Sequence, residues 1–369
     1  MFDRRLFFHV NWWLLGLTAV LFCCGLLNLY SASSLRAEDG LVLNAYFNKQ
    51  LLWGGLSLFV MTGLVLVDYR HFKSVGLFFY GLAVFLLACV VLFGKTIGGS
   101  TRWLDFGAFN FQPTELAKIA VLVVGARLVS AVDGRLGFWS LCKVVAMGLV
   151  PAAFVVQQPD LGSALNIMLI LGGIILYKGL DGTLFRMLAF LIPSILPLGW
   201  FYLHDYQKQR ILMLLDPNAD PLGAGYHVIQ SQIAIGSGGF WGKGFMKGSQ
   251  SQLRFLPEKH TDFAFAVFGE EWGLIGSLAL LSLFSAFLYQ MYVLALEAKD
   301  EFGSCLAAGV FFYFFWQILI NMGMALGIMP VVGIPLPFIS YGGSSTMVNF
   351  CMIGMVLNVG MRRFVFKKS

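Results

Sequence analysis

The chain has 369 residues, of which 58% are hydrophobic and only 12% are charged. Soluble domains carry about twice that share of charged residues, so the composition excludes an ordinary soluble enzyme. The formal net charge of +6 does not indicate a nucleic-acid partner, because the basic residues are dispersed through loops and form no patch interleaved with aromatic residues.

Apolar runs long enough to cross a membrane recur along the chain. A hydrocarbon core of about 30 Å requires roughly 20 apolar residues in one helix. The sequence therefore predicts an all-α, polytopic integral membrane protein with about ten transmembrane helices, in a single domain over residues 1–369. The predicted spans are Trp12–Tyr30, Leu51–Val67, Val75–Phe93, Leu116–Val132, Phe138–Val156, Leu161–Tyr177, Leu184–Phe201, Phe268–Leu296, Leu306–Ile328 and Gly343–Met361.

Basic residues in short connections predict the orientation. The residues on one predicted side are Arg70, Lys73, Arg135, Lys178 and Lys299, together with Arg4, Arg5 and the tail residues Arg362, Arg363, Lys367 and Lys368. By the positive-inside rule, both termini are cytoplasmic. The opposite side carries the longer connections, including residues 204–267, which we expect to form a large outer loop between helices 7 and 8, partly embedded in the membrane.

The stretch from Leu253 to Gly273 combines a cluster of titratable residues with the start of an apolar run. The cluster comprises Arg254, Glu258, Lys259, His260 and Asp262. A carboxylate at the mouth of a membrane helix is costly unless it is solvated, paired or functional, which makes Asp262 a candidate catalytic residue. Asp262 could instead cap the next helix, as could Thr261. Spacing alone gives the catalytic and the capping interpretations of Asp262 equal weight. Lys259 and His260 are candidate cavity residues.

Other charged residues on the predicted outer side are candidates for the same functional site. Glu115 and Lys118 share one helix face and can pair, either as the lining of a wet cavity or as a salt bridge that only fixes packing. Asp160 precedes the sixth span, and capping is its favoured role on spacing alone. Arg102 and Arg210 are either solvated charges or phosphate ligands, because Arg suits bidentate phosphate contacts.

The predicted outer side carries carboxylates, cations and a segment at the membrane interface. This combination suits a substrate with an anionic headgroup and a lipid tail. Glycosyl transfer from a polyprenyl diphosphate fits this pattern, with Asp262 as the base on the attacking hydroxyl. Arg210, together with a divalent cation such as Mg²⁺ or Mn²⁺, would stabilise the leaving diphosphate. A lipid-headgroup transporter and a scaffold that recruits another membrane protein are the competing interpretations.

Several motifs resemble the SEDS family (shape, elongation, division and sporulation proteins). They are Gly99-Ser-Thr-Arg-Trp103, Gln112-Pro-Thr-Glu-Leu-Ala-Lys118, Gln158-Pro-Asp-Leu-Gly162, Phe255-Leu-Pro-Glu-Lys-His-Thr-Asp-Phe263, Gly269-Glu-Glu-Trp-Gly273 and Gly333-Ile-Pro-Leu-Pro-Phe-Ile-Ser-Tyr-Gly-Gly-Ser-Ser345. They occur in order along the chain. The short termini and Gly248-Ser-Gln-Ser-Gln-Leu253 are more similar to RodA, the elongation branch, than to FtsW, the division branch.

The resemblance implies a peptidoglycan glycosyltransferase of the bacterial inner membrane that polymerises lipid II. It implies a class B penicillin-binding protein, which crosslinks the product, as partner within the elongation complex of membrane proteins. It also implies that Asp262 is the essential carboxylate and that Glu115, Lys118, Asp160 and Arg210 belong to the functional cavity. Transport of lipid II, as a flippase, stays the alternative function.

Overall fold

The computed structural model describes residues 8–33, 45–97, 100–105, 110–202, 205–216, 224–253, 255–256 and 258–363. Arg4, Arg5, Lys367 and Lys368 of the predicted basic ends lie outside the described residues, as does Arg254 of the central cluster. In chain order, the α-helices of the described part are α1 (Trp12–Ser33), α2 (Ala45–Leu66), α3 (Tyr69–Phe93), α4 (Pro113–Ser130), α5 (Phe138–Gln157), α6 (Leu161–Lys178), α7 (Gly182–Gly199), α8 (Asp205–Leu215), α9 (Ala224–Ser237), α10 (Ser249–Gln252), α11 (Ala264–Leu296), α12 (Glu301–Ala325) and α13 (Gly343–Met361). Three short strands lie between α3 and α4, namely β1 (Lys95–Ile97), β2 (Ser100–Asp105) and β3 (Asn110–Phe111).

Ten of these helices coincide with the predicted spans. Within the described residues, eight are long and apolar enough to cross a membrane: α1, α2, α3, α5, α6, α11, α12 and α13. The other two predicted spans are α4, which carries Glu115, Lys118 and Arg127, and α7, which contains Pro193 and Pro197. The protein is thus a predominantly α-helical, polytopic integral membrane protein.

Helix α4 lies at the centre of the bundle, between α3, α5, α6 and α12. Small residues allow this close packing. A Cβ added at Gly125, in α4, would lie 2.6 Å from Leu171 of α6, and one added at Gly309, in α12, would lie 3.1 Å from Leu122 of α4. Glycines at helix interfaces let backbones approach closely in membranes. The charged residues at the start of α4 are therefore held inside the protein.

The connections that carry basic residues meet at one end of the bundle. Arg70, in the first turn of α3, lies 3.6 Å (Nε to Oδ2) from Asp300, which precedes α12. Lys178, at the end of α6, pairs with Glu301 at 2.7 Å. Arg362, just after α13, donates to a backbone carbonyl at the end of α2. The ends of α2, α6, α11 and α13 therefore lie on the same side.

Helix α11 is broken at Gly273, where φ is 64° and ψ is −161°. The break frees backbone groups that a neighbouring turn satisfies. The amides of Lys243 and Gly244 donate to the carbonyl oxygens of Glu270 and Glu271 at 3.1 and 3.0 Å. Non-helical backbone at membrane depth is tolerated when protein partners satisfy it. The break therefore fixes the turn after α9 against α11.

The connection between α3 and α4 was expected to be an outer loop without regular structure, because its sequence is rich in glycine. It forms a small antiparallel sheet in the order β1-β2-β3. The large predicted outer segment contains α8, α9 and α10. Its partial embedding in the membrane and the single-domain organisation stay predictions.

Candidate active site

Asp262 lies on a turn immediately before α11, and neighbouring segments fix the backbone of this turn. The side chain of Asn321, in α12, donates to the carbonyl oxygens of Asp262 and Ile334 at 2.9 and 2.8 Å. The hydroxyl of Ser340 donates to the carbonyl oxygen of Thr261 at 2.5 Å. Ile334 and Ser340 belong to the non-helical connection between α12 and α13. The connection therefore holds the turn in place.

The carboxylate of Asp262 does not cap α11. Phe263 occupies the N-cap position, and no side chain bonds to the helix there. The carboxylate instead faces Gly333, where an added Cβ would lie 3.5 Å from Asp262 Oδ2. Gly333 has a φ of 75°, a left-handed conformation that favours glycine. The capping alternative for Asp262 is therefore wrong, and its carboxylate is available for chemistry.

Asp262 borders a polar cavity of about 790 Å³. Six of the eight predicted site residues line this cavity: Asp262, Glu115, Lys118, Asp160, Arg102 and Arg210. They come from β2, α4, α8, the start of α6 and the turn before α11. The fold therefore gathers carboxylates and cations from distant parts of the sequence around one volume.

Glu115 and Lys118 form a buried ion pair at the wall of the polar cavity. The distance from Lys118 Nζ to Glu115 Oε1 is 2.7 Å, and the two side chains are only 4% and 7% exposed. Lys118 Nζ also lies 5.7 Å from the centre of the Tyr313 ring. Among the described residues, the second oxygen of Glu115 is buried without a hydrogen-bond partner. Because an unpartnered buried oxygen is costly, this atom is suited to accept a hydrogen bond from a group in the cavity.

Asp160 both caps α6 and lines the polar cavity. Its Oδ1 accepts a hydrogen bond from the Ser163 amide at 3.1 Å. Its Oδ2 lies 3.6 Å from Arg102 Nε, and Arg102 Nη2 donates to the Pro159 carbonyl oxygen at 2.6 Å. These contacts join β2 to the start of α6. The capping expected from spacing is thus confirmed, Asp160 also lines the polar cavity, and its role in function stays a prediction.

The environment of Asp262 raises its pKa to about 6, chiefly through burial. The charge of Glu258 raises the pKa further, and Arg210 and Arg102 lower it. A general base works best when its pKa is near the operating pH, because it is then ionised and still basic. The cavity therefore gives Asp262 a pKa that suits proton abstraction near neutral pH.

Lys259 and His260 do not line the polar cavity. Lys259 Nζ donates to the Ser251 carbonyl oxygen at 2.5 Å. The His260 ring stacks on Tyr46 with centroids 4.9 Å apart, and the His260 carbonyl oxygen accepts from the Tyr341 amide at 2.8 Å. Burial, followed by the charge of Lys259, lowers the pKa of His260 to about 4, so its ring is neutral at pH 7. Both residues support the turn that carries Asp262, which corrects their assignment to the cavity.

Glu258 and Asn321 are missing from the set of residues predicted from the sequence. Glu258 lines the polar cavity, and its Oε2 accepts a hydrogen bond from the Thr261 hydroxyl at 3.1 Å. It belongs to the recognised titratable cluster, so its proximity to Asp262 was a usable signal. Asn321 is a buried amide within the apolar sequence of α12. A polar side chain inside a membrane helix is itself a pointer to a site.

Comparisons with known proteins identify the family. Residues 11–364 match the model for FtsW, RodA and SpoVE, described as "Cell cycle protein". The peptidoglycan glycosyltransferase MrdB of Escherichia coli K12 is 41% identical over 315 residues, which cover 85% of each chain. A chain from a solved peptidoglycan synthase complex superposes with a TM-score of 0.81 and 32% identity, covering 97% of this chain and 99% of the other. The crystal structure of RodA from Thermus thermophilus gives a TM-score of 0.73 and 27% identity, with coverage of 97% and 98%. The chain therefore belongs to the FtsW/RodA/SpoVE family, the family that its sequence motifs resemble.

Proposed function

We propose that this chain is a peptidoglycan glycosyltransferase that polymerises lipid II during cell elongation. The observation that carries the proposal is the polar cavity, where the carboxylate of Asp262, which caps no helix, lies among cationic side chains. The relative MrdB is named a peptidoglycan glycosyltransferase, which supports the same activity for this chain.

In this reaction, Asp262 takes the proton from the acceptor hydroxyl as the hydroxyl oxygen attacks the anomeric carbon of the donor. The new glycosidic bond forms while the bond from that carbon to the diphosphate breaks. Undecaprenyl diphosphate leaves with the electron pair and needs no proton. One carboxylate therefore suffices, whereas a glycosidase needs two because its leaving group is poor. With a pKa of about 6, Asp262 is largely ionised at pH 7 and can act as the base.

Arg210 is the cation best placed to bind the departing diphosphate. Arg102 is already held by Pro159 and faces Asp160. In the part of the chain that the structure describes, Arg210 has no ion-pair partner, and it lines the polar cavity with Asp262. A planar guanidinium can contact phosphate oxygens through two hydrogen bonds. We therefore assign Arg210 to the diphosphate and Arg102 to positioning Asp160.

The involvement of a divalent cation stays a proposal. No group of three metal-ligating side chains occurs among the described residues. Mg²⁺ commonly binds through one or two carboxylates together with substrate phosphates. The carboxylates that line the polar cavity besides the base Asp262, namely Glu115, Asp160 and Glu258, would be available to hold it together with a bound diphosphate. The ion would supply positive charge that stabilises the leaving group.

We place both termini in the cytoplasm and the polar cavity on the periplasmic side of a bacterial inner membrane. The basic connections meet at one end of the bundle, which supports a cytoplasmic assignment of that end. Asp262 precedes α11, and Glu297, just after the opposite end of α11, pairs with Arg363 of the basic tail. The cavity therefore faces the opposite side of the membrane.

We also propose a class B penicillin-binding protein as partner, together with other membrane proteins of the elongation complex. The support is the similar chain in a solved peptidoglycan synthase complex, which is described as coordinating polymerisation and crosslinking. That description concerns the other protein. The shared fold makes the same kind of partner suitable here.

Purified protein in detergent, supplied with lipid II, tests the proposal. Formation of glycan polymer is expected and would exclude a pure flippase, because detergent micelles have no sealed compartment. Absence of polymer from folded protein, both with and without added Mg²⁺, would contradict the enzyme assignment. A chelator should abolish polymerisation, and added Mg²⁺ should restore it. Unchanged activity after chelation would refute the involvement of a divalent cation.

A further inference from the structure

A second, smaller cavity adjoins the polar cavity at Asp262. Its volume is about 270 Å³, and it shares Arg210, Glu258 and Asp262 with the polar cavity. Its apolar lining consists mainly of Met213, Leu214, Val228, Phe263, Met329 and Val331. We refer to this volume as the apolar cavity. The three shared charged residues form the boundary between a polar and an apolar volume.

We propose that the apolar cavity binds the first isoprene units of the polyprenyl diphosphate substrate. The inference rests on the proposed function and adds a subsite to it. A glycosyl polyprenyl diphosphate has three parts in a fixed order: sugar, diphosphate and hydrocarbon. The structure offers three environments in the same order: the polar cavity, the charged boundary at Arg210 and the apolar cavity. One extended substrate can therefore occupy all three with its diphosphate at Arg210.

The lining of the apolar cavity favours hydrocarbon over water. Val228 is 5% exposed and Phe263 is 1% exposed, and both present apolar atoms to the cavity. The ring of His227, which also lines this cavity, stacks on Phe263 with centroids 6.1 Å apart. Water is retained in cavities that supply several polar partners, whereas apolar lining gives it few. Isoprene units would remove this lining from water, which is favourable.

Two hydrogen bonds fix the wall of the apolar cavity, so the cavity is not merely a gap beside a loosely attached loop. Ser231 Oγ donates to the Ala325 carbonyl oxygen at 2.7 Å, and Gln232 Nε2 donates to the Leu326 carbonyl oxygen at 3.1 Å. These bonds attach α9 to the end of α12. Gly327 follows with a φ of 74°, and the chain then turns into the segment that contains Met329 and Val331. The separation between α9 and this segment is therefore set by the fold.

Exposed apolar side chains flank the apolar cavity on two of its walls. Leu215, at the end of α8, is 78% exposed, and Ile328, after α12, is 68% exposed. A polyprenyl tail must continue from its binding site into the bilayer. Apolar side chains beside the cavity provide surface along which the rest of the tail can leave without crossing polar groups.

Competition between two inhibitors tests the apolar cavity. Farnesyl diphosphate carries three isoprene units, and inorganic diphosphate carries none. Both are titrated into the detergent polymerisation reaction at a fixed free Mg²⁺ concentration, and their binding is measured in parallel from the thermal shift of the solubilised protein. We expect farnesyl diphosphate to act at a concentration at least about tenfold lower, because burial of even two methylene groups accounts for a factor of that size.

Substitutions in α8 test whether the preference for farnesyl diphosphate over inorganic diphosphate arises in the apolar cavity. Met213→Trp fills the apolar cavity and should remove the advantage of farnesyl diphosphate while inorganic diphosphate still inhibits. Leu212→Trp is the matched control, because Leu212 is 46% exposed on the same helix and does not line the cavity. It should keep the native ratio. Val331→Phe fills the cavity from the opposite wall and replaces Met213→Trp if that variant does not fold.

Equal potency of the two compounds on the native protein would overturn the inference, as would a full farnesyl advantage in the filled variants. Absence of polymer would instead refute the proposed function. The thermal-shift measurement then still decides whether the apolar cavity prefers a prenyl diphosphate, so the two failures are distinguishable.

Discussion

Replacing Glu258 with glutamine should move the acid limb of the pH–rate profile to lower pH. Burial and the neighbouring charge of Glu258 raise the pKa of Asp262 to about 6. Glutamine keeps an oxygen that can accept the Thr261 hydroxyl bond of 3.1 Å but lacks the charge. With one negative neighbour fewer, ionised Asp262 is less disfavoured, and its pKa falls.

The size of this shift can be bounded from the structure. The native acid limb should have its midpoint near pH 6, and the variant midpoint should lie between that value and 3.8, the ordinary pKa of the group. A base with a pKa of 6 is about 25% ionised at a pH half a unit lower, and a downward shift of one unit would raise that fraction to about 75%. Relative activity at this pH, normalised to the plateau of each protein, would therefore rise about threefold.

Initial rates of lipid II polymerisation in detergent, measured across the acid and neutral range, provide the assay. Arg210→Gln is the matched comparison with the opposite sign. The charge of Arg210 lowers the pKa of Asp262, so its removal should move the midpoint to higher pH even as diphosphate binding weakens. If both variants keep the native midpoint, Asp262 is not the group whose ionisation controls the rate.

Three further sets of substitutions test the surroundings of the site. Glu115→Gln and Lys118→Met each break the buried 2.7 Å ion pair. We expect the polymerisation rate of each variant to fall at least about tenfold, which is more than the fall in the yield of inserted protein. Equal losses of rate and yield would show that the pair is purely structural. Glu270→Gln removes the fully buried charge that holds the turn after α9 and the start of α10, and the melting temperature and the rate should both fall; unchanged values would contradict this role. Gly333→Ala and Gly134→Ala both place a Cβ on a residue with positive φ, which costs about 1–2 kcal/mol of stability in each case. Only Gly333 faces Asp262, so only Gly333→Ala should also change the polymerisation rate.

The order of the helices was predictable because lipid imposes a simple requirement on sequence. Each span must satisfy its backbone internally and present apolar side chains, so long apolar runs indicate helices. Helix α13 begins and ends at the predicted residues Gly343 and Met361. The sheet was not predictable, because β2 pairs with two short strands whose register depends on contacts outside any local pattern. Spacing alone also did not reveal that Asp160 reaches Arg102 in that sheet.

The position of the site was more predictable than the direction of its side chains. The change from titratable to apolar residues indicated Asp262, which lines the polar cavity, and its catalytic role stays a prediction. It did not separate Glu258, which lines the cavity, from the adjacent Lys259, which bonds to Ser251. These residues lie on an irregular turn where Glu258 has a φ of 47°, so neither helical nor strand periodicity assigns their faces. The anchoring role of Asn321 depends on backbone oxygens that only the folded chain brings together.

Comparison of native protein with Asp262→Asn, in detergent with lipid II, tests the central claim most directly. Asparagine has nearly the same shape as aspartate but cannot accept the proton from the acceptor hydroxyl. Because Asp262 does not cap α11, the variant should fold with the native melting temperature and still bind lipid II. The predicted result is folded protein that forms no glycan polymer. Polymer formation by Asp262→Asn at the native rate would contradict the assignment of Asp262 as the base.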